Sequence, residues 1–231
     1  MGSNYTNNTV NKLTTTDYYN NFSLKPKTKK ILLNLKQQIF KALNETKDKN
    51  LSLKKIPFKN VNESPKYFDN SIQTLINKKG SSGYSVVYLD CDKLLGFNLN
   101  FNFYTLNGNS VTKQKIMEYA KIMLSWLKIA KQYEKPSCIE NLDVNIYLTN
   151  AKKEIASLKQ PETLSQKHVN TAFTYRCHNG SSSITLFREE DLVKVFIHET
   201  FHTFKFDFDE TCDSHMKKIF NLDIEFMLFE S

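Results

Sequence analysis

Residues 194–204 read KVFIHETFHTF and carry His198, Glu199 and His202 in the pattern H-E-x-x-H. How this stretch folds decides how the rest of the chain is arranged. On an α-helix, residues four apart lie one above the other on the same face, so both imidazoles can reach one metal ion while Glu199 stands beside them. Two neutral imidazoles suit Zn²⁺, bound at about 2.0–2.1 Å per nitrogen. The flanking Leu192, Val193, Val195, Phe196, Ile197, Phe201 and Phe204 are apolar nearly all round, which predicts a helix running through a core. Glu189, Glu190 and Asp191 stand where its first turn would begin, at the positive end of the helix dipole. The bland reading of the same residues is two histidines one turn apart beside an unrelated glutamate.

Working outward, composition bounds the classes. A chain of 231 residues with 40% apolar and 13% aromatic residues is globular, forming one large domain or two small lobes. No apolar run approaches the length of a membrane span and none resembles a secretory signal, so the expectation is a protein of the cell interior, in the cytoplasm. Cys91, Cys138, Cys177 and Cys212 are widely spaced with no C-x-x-C, which predicts reduced, packed thiols. The net charge of +8 invites a nucleic-acid reading. Against it, the basic residues are nearly all lysine; only Arg176 and Arg188 could supply the guanidinium forks that read bases and phosphates.

Before this stretch, residues 1–23 read as a loose polar arm, followed by one domain over 24–231. Ile31, Leu32, Leu35, Ile39 and Leu43 predict an amphipathic helix over about 26–46, its stripe packed on its own domain. The charged segment 47–65, with Pro57 and Pro65, reads as a long loop or lobe boundary. A short helix over 67–77 follows. Tyr84 to Leu89 and the alternation of Phe97, Leu99, Phe101 and Phe103 with Asn98, Asn100 and Asn102 predict a hairpin with one buried side. A long helix over 115–134 comes next, then a strand through Leu142, Val144, Ile146 and Leu148. A second hairpin joins Phe173–Cys177 to Ile184–Phe187 across Asn179-Gly180 and leads into the H-E-x-x-H helix.

From Asp143 to Ser231 the chain resembles the zincin metallopeptidases. The resemblance rests on His198-Glu199-x-x-His202, on a strand immediately before that helix, and on an acidic residue in a following helix. It implies an α+β fold in which a small, twisted, mostly antiparallel sheet backs the H-E-x-x-H helix, with additional N-terminal helices. It also implies Zn²⁺ as cofactor and a peptide or protein substrate laid along the edge strand of the sheet, for which Ser183, Ile184, Thr185, Leu186 and Phe187 are the candidates.

The third ligand separates the subfamilies. The metzincin continuation would need glycine and histidine where this chain has Lys205 and Phe208. Gluzincins take a glutamate from a second downstream helix, and a helix from about Ser214 offers two. Glu230 shares its face with Met216, Ile219, Asp223, Phe226 and Met227 and is the inward choice; Glu225, on a mixed face, is the alternative. Asp207, Asp209, Asp213 or His215 could complete the shell instead. Because Glu230 is followed by a single residue, a chain cut short of a longer protein is the expectation.

The chemistry implied is peptide hydrolysis, with Glu199 as general base toward a metal-activated water and Tyr175, His178 or His215 as oxyanion donor. Two other classes stay open: an inactive zincin-like binding module, and a basic protein binding nucleic acid or acidic partners in which H-E-x-x-H is accidental.

Overall fold

The computed structural model describes residues 25–46, 50–62, 68–89, 91–108, 111–133, 139–153 and 170–206. In chain order these form α1 (Pro26–Glu45), β1 (Leu51–Ile56), α2 (Asn70–Lys79), β2 (Gly80–Tyr88), α3 (Cys91–Leu95), β3 (Asn98–Leu106), α4 (Lys113–Ala130), β4 (Asn141–Leu148), β5 (Ala172–His178), β6 (Ser181–Leu186) and α5 (Leu192–Thr203). The six strands make one sheet in the order β1-β2-β3-β4-β6-β5. The 1–23 arm lies outside the described residues.

The α+β reading holds, and the sheet is mixed, with three of the five strand pairs among the described residues antiparallel and two parallel. β1, β2 and β3 run antiparallel to one another, β3–β4 and β4–β6 are parallel, and β5–β6 closes the sheet as an antiparallel hairpin. The reason is the connection: between β3 and β4 the chain crosses over through the 18-residue α4, and a crossover of that length returns a strand in the same direction.

Within segment 47–65 the long-loop reading is corrected over 51–56. Leu51 and Leu53 alternate with polar neighbours, and this short stretch forms β1 and pairs with β2 from Leu51↔Tyr88 to Ile56↔Gly83.

Alternation sorts the strands into two faces. Leu99, Phe101, Phe103, Leu142, Val144, Ile146, Ile184 and Leu186 form one apolar layer, covered by Ile116, Ala120, Met123, Leu124 and Leu127 of α4 and by Leu192 and Phe196 of α5. The opposite face is half polar. At one end Asn98, Asn100 and Asn102 each donate a side-chain hydrogen bond to the residue directly across the parallel ladder, Asn141, Asp143 and Asn145. At the other end Tyr104, Tyr147 and Phe187 are buried with Ile72 and Ile76 of α2 and with Phe68. Burial there pushes the Tyr147 hydroxyl well above its ordinary range, and its proton is held by the Lys59 carbonyl at 3.1 Å.

α1 departs from expectation along its stripe. Its last turns lie on α4, where Thr46 meets Ser125 at 3.1 Å and Glu45 pairs with Lys128. Of its own residues only Ala42 is buried, and of the stripe Ile31 (58%), Leu32 (48%) and Ile39 (38%) are exposed. No helix among the described residues is long and apolar enough to cross a membrane.

Cys177 is disulfide-bonded, and Cys91 is a buried thiol outside any disulfide. The expectation of four reduced thiols is therefore corrected at Cys177, since distance along the sequence does not keep cysteines apart in space.

The core layer predicts its own weak point. Phe196 of α5 is fully buried, with its ring 6.2 Å from that of Phe101. Phe196→Ala should cost about 3–5 kcal/mol, read as a lowered midpoint in urea unfolding; a loss below about 1 kcal/mol would mean that the helix does not close this layer.

Candidate metal and catalytic site

Period 3.6 divides α5 into a buried stripe and an open one. Leu192, Phe196, Thr200 and Thr203 face the sheet and α4, while Lys194 and His198 are exposed and His202 is half-buried. The helix is thus a cover on the sheet, with Phe201 40% exposed, and does not run through the core as its apolar composition suggested. Apolar residues around such a helix count as buried only where a second element covers them.

Three ties fix its position. Trp126 of α4 donates its indole N–H to Thr200 Oγ1 at 2.8 Å, and that hydroxyl donates back to the Ile197 carbonyl at 2.6 Å. Glu189, just before the helix, pairs with Lys115 and accepts from the Tyr119 hydroxyl at 3.3 Å, and that carboxylate holds the Lys115 ammonium above its usual value. Glu190 accepts from the Lys153 backbone N–H. These acids therefore anchor neighbouring elements and do not occupy the first turn as expected; the helix begins at Leu192, after Asp191 in a left-handed conformation (φ 58°).

The far end is closed by a Schellman turn. The Phe206 N–H reaches the Phe201 carbonyl at 2.8 Å, Lys205 takes φ 57°, and the Phe201 and Phe206 rings meet at 5.6 Å.

On the open stripe the two imidazoles converge. His198 Nε2 and His202 Nε2 are 3.4 Å apart, with the ring planes at 87°. Two nitrogens bound to one tetrahedral Zn²⁺ at about 2.0–2.1 Å would stand about 3.3–3.4 Å from each other. A direct hydrogen bond would be long at that separation, since ordinary N–H···O bonds lie at about 2.7–3.2 Å. The donor spacing therefore fits a shared tetrahedral cation.

Among the described residues no group of three His, Cys, Asp or Glu side chains gathers to hold a metal. Glu230 and Glu225, like Asp207, Asp209, Asp213 and His215, lie outside the described residues.

Glu199 is 7% exposed and turned toward β5, where its Oε2 accepts from the Thr174 hydroxyl at 2.6 Å. Beside His198 and Glu199 opens a cavity of about 260 Å³, bounded also by Lys153, Asn170, Ala172 and Lys194.

The edge-strand assignment is corrected. Ser183, Ile184, Thr185, Leu186 and Phe187 are not at an edge: β6 is paired on one side with β4 and on the other with β5, and Ile184, Leu186 and Phe187 are buried. Among the described residues the edge strand on this side of the sheet is β5, with β1 at the opposite edge. Composition carries only part of this signal: β6 is apolar on one face through Ile184 and Leu186 and polar on the other through Ser183 and Thr185, while β5 carries Thr174, Arg176 and His178, which suit a rim.

Of the oxyanion candidates, Tyr175 packs its ring on Phe173, which packs in turn on Phe187 on the far side of the sheet, and His178 sits at the hairpin end beside Asn179. Thr174, which sequence reading passed over, is the β5 residue that meets the motif, through Glu199.

No family model matches the chain, and neither curated proteins nor solved structures yield a match to it.

Two outcomes follow from the local geometry. Thr174→Val strips a buried carboxylate of its donor and should destabilise the protein by about 1–3 kcal/mol in denaturant titration, whereas an unchanged midpoint would show that water replaces the hydroxyl freely. Lys205→Gly removes the left-handed penalty of a side chain at the end of α5 and should raise stability by about 1 kcal/mol in the same assay.

Proposed function

We propose that the chain is a zinc-dependent peptidase of gluzincin-like type. The observation that carries this reading is the 3.4 Å separation of the two Nε2 atoms on the open face of a helix whose next residue is a buried, hydrogen-bonded glutamate. His198 and His202 would hold the ion as neutral imidazoles, with the Glu230 carboxylate as the proposed third ligand and Glu225 as the alternative. An ion held there would supply Lewis acidity toward a carbonyl and would lower the pKa of a water beside it toward neutrality.

The chain's own residues supply the rest. Glu199 accepts a proton from water in the adjoining cavity and returns it to the departing amine, as a general base that becomes a general acid. Thr174, donating to Oε2, leaves Oε1 of the same carboxylate to take that proton and holds its plane steady. β5 pairs with β6 along one side only, so its other backbone edge can add an extended peptide as a further strand beside the histidines.

Metal analysis and a protein-cleavage assay test the reading together. The native protein should carry about one zinc per chain and cleave an unstructured protein such as casein in a chelator-sensitive way. His198→Ala with His202→Ala should lose the metal. Glu199→Gln should keep it while the rate falls by about 10²–10⁴, the usual worth of a positioned acid–base group. Zinc retained with no cleavage by the native protein would favour a binding module, and absence of zinc would return H-E-x-x-H to coincidence.

A further inference from the structure

The cavity beside Glu199 carries a charge pattern that the hydrolytic reading does not use. Lys194 lies one helical turn before His198 on the same open stripe, and Lys153 enters from the segment just after β4. Neither ammonium has an acidic partner among the described residues. The nearby acids are already engaged: Glu189 by Lys115 and Tyr119, Glu190 by the Lys153 backbone N–H, and Glu199 by Thr174. Among the described residues, two cations therefore border the cavity against one carboxylate, Glu199, on a chain whose formal net charge is +8.

An apolar occupant would take water from both ammonium groups and give nothing back. A carboxylate would meet two opposite charges in a partly enclosed space, where their attraction is stronger than in bulk water, and the overall charge would favour its approach. Ala172, the first residue of β5, also borders the cavity. A strand added along that edge would thus bring one of its side chains, or its own end, to the lysines close to where Thr174 meets Glu199.

We propose that this cavity is a carboxylate subsite, with Lys153 and Lys194 selecting peptides that present an acidic side chain or a free C-terminus next to the bond to be cut. The proposal deepens the peptidase reading and rests on it for the position of that bond. The binding preference itself can be measured separately.

Glu199→Gln protein, which by that reading does not turn substrate over, would be titrated with labelled peptides of one length bearing Glu, Gln or Lys at the central position. Each peptide would be made as the C-terminal acid and as the amide, and fluorescence anisotropy recorded with and without added Zn²⁺. The expected result is binding about tenfold tighter for the carboxylate-bearing peptide than for its neutral counterpart. Lys153→Gln with Lys194→Gln should level the preference, and Lys153→Glu with Lys194→Glu should invert it toward the Lys peptide. A preference among the amides assigns the subsite to an acidic side chain; one confined to the acids assigns it to a chain terminus.

Equal affinities across the series, or no binding, overturn the subsite. If casein is still cleaved by the native protein, the peptidase reading survives that result. A lysine-dependent preference without chelator-sensitive cleavage supports the subsite and removes the peptidase.

Discussion

A carboxylate cannot leave water without a partner, and the buried Glu199 is the group on which the rest of this site depends. Withdrawing an ion of that kind into a protein costs several kcal/mol unless hydrogen bonds replace its hydration. Here the replacement comes from a different element: Thr174 on the edge strand donates at 2.6 Å to a residue on the helix. The bond therefore ties the outermost strand to the H-E-x-x-H helix and demands a particular register. A one-residue slip of β5 would send Thr174 to the other face and bring toward the carboxylate either Phe173, which has no donor, or Tyr175, whose hydroxyl stands at the end of a much longer side chain. The turn that sets this register is Asn179-Gly180, both residues at positive φ, as a tight hairpin requires.

That coupling holds only if the helix itself is held. Its buried stripe closes the apolar layer over β3, β4 and β6, and polar contacts at its ends limit rotation about its axis: Trp126 on Thr200, Lys115 and Tyr119 on Glu189, and the turn through Lys205. Rotation is the motion that matters, because a helix that turned by a few tens of degrees would carry Glu199 away from Thr174 long before the histidines lost sight of each other. Sites set on packed helices and strands hold their geometry better than sites on loops, and the described half of this one is built that way.

How far the sequence foretold this follows from the range of each signal. Helix spacing is local, so the alignment of His198 with His202, the span of α4 and the alternating face of β3 were all legible from a few residues. Pairing partners are not local. β6 has an apolar face in Ile184 and Leu186 and a polar one in Ser183 and Thr185, the alternation of a strand with one side toward solvent, so nothing in its own residues marks it as paired on both sides. The parallel β3–β4 pair was legible in principle, since a strand, a long helix and a strand is the pattern of a crossover. β1 was hidden by its lysines. The hydrogen bond from Thr174 had no signature at all, because it exists only once β5 is placed beside α5.

The arrangement also explains why one short pattern can hold residues with different duties. Successive residues on a helix are turned by about 100°, while residues four apart return to within about 40° of each other. His198 and His202 must therefore share an outlook, and Glu199 must not share it. On an exposed helix that difference would be idle, since every direction would face water. On α5 it becomes a division of environment: the histidine stripe opens to the cavity and solvent, while the next residue is carried around to the boundary with β5, where it is buried and bonded. A group so placed is near the ion its neighbours could bind and yet already committed elsewhere by one oxygen, which suits it to moving protons and not to ligation. Lys194, one turn earlier, inherits the open outlook of the histidines for the same geometrical reason. What approaches this face meets a positive charge and two ring nitrogens in line along the axis, with the single acid set to one side.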